Sequence, residues 1–185
     1  MERKIVHIVG TGTIGEPLIG LLTDYKDQLG IDEVTFHKNT PLLSDRSKVI
    51  DLIRRGARLS VDETLMKDFK KLNMDPDLDT EESIKRSSVV IDCTPRGIGH
   101  ANKAKYYEKF SDSVRGFIAQ GSEDGFGKKY ARGINDFALT SSDKFLQIVS
   151  CNTHNIASIT NTISLHDDPE NLKSGKYVCV RRAND

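Results

Sequence analysis

The sequence predicts an α/β fold built on a doubly wound, mostly parallel sheet. Three observations carry that expectation. Short apolar runs suited to strands alternate along the chain with segments of helical periodicity. The first run, Ile5-Val6-His7-Ile8-Val9, leads straight into a glycine turn, Gly10-Thr11-Gly12-Thr13-Ile14-Gly15, and then into a helical pattern. A later run, Val89-Val90-Ile91-Asp92-Cys93, is nearly continuous in apolar residues, as expected of a strand buried on both faces by helices.

Each element follows from local pattern. Ile5 to Val9 is the first strand. Helical spacing runs from Ile14 to about Tyr25, with Ile14, Leu18, Leu21 and Leu22 on one face. Pro17 falls in its first turn, where a missing N–H costs little. Gly30 closes the unit, and Glu33 to His37 is the second strand. Ser44 is a candidate N-cap for a helix that presents Leu52 and Ile53 and ends at Gly56. Arg58 to Val61 reads as a short third strand, Leu65, Met66, Phe69 and Leu72 as a helical stripe, and Asp75-Pro76-Asp77 as a turn. Thr80 with Ser83 to Arg86 is a short helix. Beyond Val89–Cys93, Ala101 to Lys109 is helical and Gly116 to Ala119 a strand. Phe145 to Val149 is a further strand, with Cys151 directly after it. Ile156, Ile159 and Ile163 mark the following helix, and Lys176 to Arg182 reads as a last strand. The order is that of a Rossmann-type domain over residues 1–149. The length leaves residues 150–185 for the beginning of another domain.

Composition bounds the function. A chain of 185 residues with 37% hydrophobic and 29% charged residues can bury a core and is not disordered. Lys and Arg balance Asp and Glu at 27 each, so no global field points to nucleic acid. No apolar run approaches the ~18 residues of a membrane span. The first apolar run ends in a glycine turn rather than a cleavage site, so it is not a signal peptide. Three widely spaced cysteines make neither a disulfide framework nor a zinc pattern, and a reducing cytoplasm is the default expectation.

Gly10, Gly12 and Gly15 have the spacing of a dinucleotide-binding turn, with a strand before and a helix after. The first glycine permits the tight turn, the second lets backbone approach a pyrophosphate, and the third lets helix pack on strand. The helix N-terminus then offers N–H groups to the phosphates, which makes Thr13 and Ile14 part of the same site. The second strand ends in Phe36-His37-Lys38-Asn39-Thr40, without the carboxylate that takes a ribose 2′-hydroxyl. Lys38 either meets a 2′-phosphate, so that NADP is accepted or preferred, or is one more solvated lysine.

The second candidate centre is Cys151. A helix N-terminus favours an anion, and a thiolate is the nucleophilic form of cysteine. Ser150 and Thr153 are placed to cap the turn, and Asn152 to help hold an oxyanion. The competing reading is a buried small residue. Cys93 and Cys179 lie in apolar strands and read as core.

The glycine turn, Thr94-Pro95-Arg96-Gly97-Ile98-Gly99 with Asn102, Gln120-Gly121-Ser122-Glu123, Ser150-Cys151-Asn152-Thr153 and Val180-Arg181-Arg182-Ala183 occur in that order. This set resembles the N-terminal portion of the archaeal-type (type II) glyceraldehyde-3-phosphate dehydrogenases. The resemblance implies an enzyme that uses NAD or NADP with a small phosphorylated aldehyde and inorganic phosphate, and a homo-oligomer at full length. It implies that Cys151 attacks the aldehyde to give a thiohemiacetal, that hydride transfer to the nicotinamide leaves a thioester, and that phosphate releases the acyl phosphate. It places Thr94, Gly97 and Gln120 near the cofactor and Lys38 near the 2′-phosphate. It gives Arg181 and Arg182 the substrate phosphate, a role that suits guanidinium forks. Neighbours on a strand point to opposite faces, so at least one is expected to touch it.

Three departures qualify the resemblance. His154-Asn155-Ile156 follows where the family has a Thr-Gly-type stretch; His154 either tunes the thiolate or lies on the surface. No residue matches the family's catalytic histidine, and His166 is a poor candidate. The rest of the catalytic sheet and the returning C-terminal helix are missing. The expectation is a chain that binds dinucleotide and turns over poorly or not at all. Two alternatives stand beside it: a related acyl-phosphate or semialdehyde reductase, and a non-catalytic dinucleotide-binding module.

Overall fold

In the computed structural model, which describes residues 3–165 and 168–180, the apolar run Ile5–Val9 forms β1 near the middle of one eight-stranded sheet. Around it lie α1 (Gly15–Asp24), β2 (Glu33–His37), α2 (Arg46–Arg54), β3 (Arg58–Val61) and α3 (Met66–Lys71). Then come β4 (Leu78–Asp79), α4 (Thr80–Lys85), β5 (Val89–Asp92), α5 (Ile98–Lys105) and β6 (Gly116–Ala119). β7 (Lys128–Tyr130), β8 (Phe145–Ile148) and α6 (Cys151–Thr160) complete the elements. The spatial order is β4-β3-β2-β1-β5-β6-β8-β7, and every ladder is parallel. The predicted doubly wound α/β fold is therefore present, with the chain reversing its direction of travel across the sheet at β1.

Strand alternation divides the core into two layers. Ile8, Val34, Phe36, Leu59 and Val61 pack on one face against Ile19 of α1, Val49 and Leu52 of α2 and Phe69 of α3. Val9, Val90, Phe117 and Ala119 pack on the other with Ile84 of α4, Tyr107 and Phe126. The second layer also holds two polar residues in register on β1 and β2. His7 and Thr35 are Cα partners, fully buried, with Nδ1 of His7 2.7 Å from Thr35 Oγ1. The other ring nitrogen of His7, Nε2, has no partner among the described residues.

Charge closes the opposite, N-terminal edge of the sheet. Glu33, whose side chain is only 7% exposed, receives Arg3, Arg58 and Arg86 at 3.0, 3.1 and 3.1 Å. One carboxylate thus ties together the approaches to β1, β3 and β5. Arg58 reaches Asp77 as well, at 2.8 Å.

The structure corrects several local expectations. Leu18 and Leu22 pack against the core as expected, but the fully buried side of α1 is Gly15, Ile19, Gly20 and Thr23, and Ile14 and Leu21 are exposed. The small residues let α1 lie close to its neighbours. Ser44 caps nothing: a 3-10 turn, Leu43–Asp45, precedes α2 and makes Asp45 the flanking residue. β4 and β7 had no counterpart in the sequence pattern. The helix expected over Ala101–Lys109 starts earlier, at Ile98, and gives way to a 3-10 turn at Tyr107–Phe110. β5 is not buried on both faces. Val89 and Ile91 stay half-exposed, as do Ile118 on β6 and Leu146 and Ile148 on β8, all on the face away from Ile84 of α4. Lys176–Val180, expected to begin a strand, joins no ladder among the described residues, and Val178, Cys179 and Val180 are exposed. Cys179 is therefore not core. The remainder of that expected strand lies outside the described residues.

Candidate functional site

The turn after β1 is set by two close approaches. Gly10 adopts φ +98°, and its N–H donates to the His37 carbonyl at 3.3 Å, fixing the turn to the end of β2. A Cβ on Gly15 would lie 2.0 Å from the Gly10 carbonyl oxygen, so only glycine lets α1 begin there. Gly12 differs: a Cβ on it would meet nothing within 4 Å. Gly10 and Gly15 are thus demanded by the fold, while Gly12 borders open space. Ile14, at the N-cap, supplies no side-chain cap to α1. An uncapped helix start beside open space fits a bound pyrophosphate. Glu16 in the first turn is neutralised by Lys48 at 3.3 Å.

From this turn a cleft of about 870 Å³ runs across the C-terminal ends of the strands. Ile14 and Leu18 of the α1 side form one wall. Ile91, Ile118 and Ile148, half-exposed residues of β5, β6 and β8, form an apolar floor with the buried Cys93. Gln120, Gly121, Ser122, Ser150, Cys151 and Asn152 line the far side. The cleft therefore brings together Ile14 at the end of the glycine turn, Gln120 and the cysteine motif.

Cys151 is exposed at the first residue of α6. Ser150 is the N-cap, its Oγ accepting from the Thr153 N–H at 3.3 Å, as its position suggested. Gly121 holds this helix start against the β6 loop: a Cβ there would fall 2.7 Å from Ser150 Cα. Cys93 lies on the cleft floor, but burial, aided by Asp92, pushes its thiol up to about 12, so it stays protonated. His154 is turned to another task, its Nε2 3.0 Å from the Arg132 carbonyl oxygen. No described histidine lines the cleft.

The loops after β5 and β6 are laced together. Gln120 Nε2 donates to the Thr94 carbonyl at 3.0 Å. The fully buried Glu123 accepts from the backbone N–H groups of Gly97 and His100, and so caps α5. Gly97, at φ +86°, makes the bend that lets this happen. Beneath them the buried Asp92 accepts from the Thr94 N–H and Asn102 Nδ2 at 2.9 Å each, and from the Tyr107 hydroxyl at 2.5 Å. Burial, then Asp92, pushes the Tyr107 hydroxyl well above its usual range. Thr94, Gly97 and Gln120 thus belong to one linked unit, of which Gln120 lines the cleft.

Lys38 follows β2, as anticipated, but its ammonium lies 2.7 Å from an Asp45 carboxylate oxygen. Arg181, Arg182 and His166 lie outside the described residues. Sequence reasoning assigned no role to Glu123, Gly121 or Asp45. Glu123 and Gly121 stood within a quoted motif, and Glu123 is an acid just beyond an apolar strand, the signal that marks a helix cap reached through space.

No protein-family model matches the chain. Curated relatives do. It is 31% identical over 186 residues to glyceraldehyde-3-phosphate dehydrogenase 2 of Methanosarcina acetivorans, covering 100% of this chain and 51% of that protein. It is 28% identical over 181 residues to glyceraldehyde-3-phosphate dehydrogenase of Pyrobaculum neutrophilum, and 27% over 183 residues to that of Pyrobaculum arsenaticum. Each of these covers 97% of this chain and 49% of the relative. The chain spans about half the length of the curated relatives it matches. Over nearly all of its own length it is similar to archaeal glyceraldehyde-3-phosphate dehydrogenases, in keeping with the resemblance carried by its motifs.

Proposed function

We propose that residues 1–149 bind a nicotinamide dinucleotide, NAD or NADP, and that residues 150–185 begin the catalytic unit of a phosphorylating aldehyde dehydrogenase of the glyceraldehyde-3-phosphate dehydrogenase kind. One observation carries the reading: a single cleft is lined both by Ile14, at the end of the glycine turn, and by an exposed cysteine at a helix start. The domain division is supported by burial, since no described residue from 150 to 180 is fully buried.

In this reading Gly10, Gly12, Thr13, Ile14 and Gly15 cradle the pyrophosphate, and Thr94, Gly97 and Gln120 line the nicotinamide end. When bound, the nicotinamide ring supplies the hydride acceptor. Cys151, as the nucleophile, adds through its sulfur to the carbonyl carbon of a small phosphorylated aldehyde. Asn152 helps hold the resulting oxyanion. Arg181 and Arg182 are assigned to phosphate by resemblance alone. Once the adduct carbon has given up its hydride to a bound nicotinamide, inorganic phosphate would attack the acyl carbon and the Cys151 sulfur would leave as thiolate.

The absence of a histidine among the described cleft residues favours a second reading for these 185 residues, a dinucleotide-binding module without turnover. The test is iodoacetamide alkylation of Cys151, followed by peptide mass spectrometry, with and without nucleotide. We expect NAD or NADP to slow alkylation, and glyceraldehyde 3-phosphate with phosphate to give little or no turnover. Unchanged alkylation at saturating nucleotide would count against a shared cleft; normal turnover would refute the expectation of poor catalysis.

A further inference from the structure

Lys38 is the cation nearest in sequence to the end of β2, where a ribose 2′-substituent is read in sheets of this kind. Its backbone is fixed there. The preceding carbonyl, that of His37, accepts from Gly10 in the glycine turn, and its own N–H donates to the Ser60 carbonyl at 3.1 Å. Its side chain, however, is only 10% exposed, and Nζ sits 2.7 Å from Asp45 Oδ2. Asp45 flanks the start of α2, a place where aspartate commonly caps the helix, yet its side chain makes no cap hydrogen bond. Its carboxylate is turned on Lys38 instead and remains 32% exposed. The other lysine beside the turn, Lys48, is also paired, with Glu16.

We propose that Asp45 is a specificity-determining residue that selects a 2′-hydroxyl over a 2′-phosphate, so that the site prefers NAD to NADP. The proposal rests on the dinucleotide reading above. A 2′-phosphate placed beside Lys38 meets a lysine whose charge is already matched and a carboxylate that repels it. A 2′-hydroxyl is neutral and can donate a hydrogen bond to the exposed edge of that carboxylate. Asp45 thus takes, from a turn several residues further on, the place of the acid missing from the end of β2. Lys38 serves as its anchor.

The test is isothermal titration of the 185-residue chain with NAD and with NADP at one fixed ionic strength, for the wild type, Asp45→Asn and Asp45→Ala. Thermal melts confirm that each variant is folded. The wild type is expected to bind NAD about tenfold more tightly than NADP, and both variants to tighten NADP by about tenfold while NAD weakens or stays level. NAD binding with a ratio that neither variant moves, or a wild type that prefers NADP, overturns the role of Asp45 and leaves the dinucleotide reading standing. Binding of neither nucleotide overturns both.

Discussion

Acid should destabilise this fold well before its carboxylates titrate. His7 is fully buried, and desolvation, reinforced by the nearby His37, lowers its pKa from 6.5 to about 3. His37 is lowered to about 4, again chiefly by burial. Both histidines stay neutral in the folded chain while the unfolded chain takes up protons below 6.5. Their contribution is therefore complete above that value and is lost as pH falls through the window down to about 3–4. Each pKa unit is worth about 1.4 kcal/mol, so going from pH 7 to pH 5 removes about 2 kcal/mol per histidine and about 4 kcal/mol for the pair. Aspartates held low by partners, Asp24 by Arg55, Asp124 by Lys129 and Asp143 by Lys128, act only at lower pH. Urea unfolding at the two pH values measures the loss. Replacing His7→Leu together with Thr35→Val removes one titrating group and its hydrogen-bond partner, and should cut the loss to about 2 kcal/mol. A double variant that loses as much stability as the wild type would refute the assignment to His7.

Three other predictions follow from the site and its frame. Gly12→Val should leave the melting temperature nearly unchanged and abolish nucleotide binding, because the new side chain enters open space; Gly15→Ala should instead cost about 3 kcal/mol or more, since its Cβ meets the Gly10 carbonyl. Glu33→Ala takes the shared carboxylate from Arg3 and Arg86 and leaves Arg58 with Asp77 alone; it should cost about 2 kcal/mol in urea unfolding, below the range for a fully buried pair because the guanidinium groups reach solvent. Glu123→Gln leaves one backbone N–H of the α5 start without an acceptor; it should cost about 1–3 kcal/mol and weaken nucleotide binding, read by the same melts and titrations.

What the sequence revealed followed burial. β1, β2, β5, β6 and β8 were legible because each carries several apolar residues in a short run. β4 and β7 were not: two residues in one case and Lys128-Lys129-Tyr130 in the other hold no pattern, and they become strands only by pairing at the two edges of the sheet. Lysines on such an edge also discourage pairing with another chain. The reverse error came at Tyr177-Val178-Cys179-Val180, which has strand-like residues but no ladder to join. On α1 the leucine pattern marks only part of the buried face, Leu18 and Leu22; Gly15 and Gly20 complete it, because their lack of a side chain permits the close packing. In the site, the glycine turn and Cys151 are local signals and were readable. Glu123 and Asp45 act through pairings that only the crossovers create, one on the loop after β5 and one on the end of β2.

Amide chemical-shift mapping of the ¹⁵N-labelled chain during titration with NAD tests the cleft most directly. Shifts centred on Gly10–Gly15, Thr94–Gly97, Gln120–Ser122 and Cys151 are predicted. Saturating nucleotide that leaves these amides unmoved, or that perturbs only the far edge around β3 and β4, would contradict it.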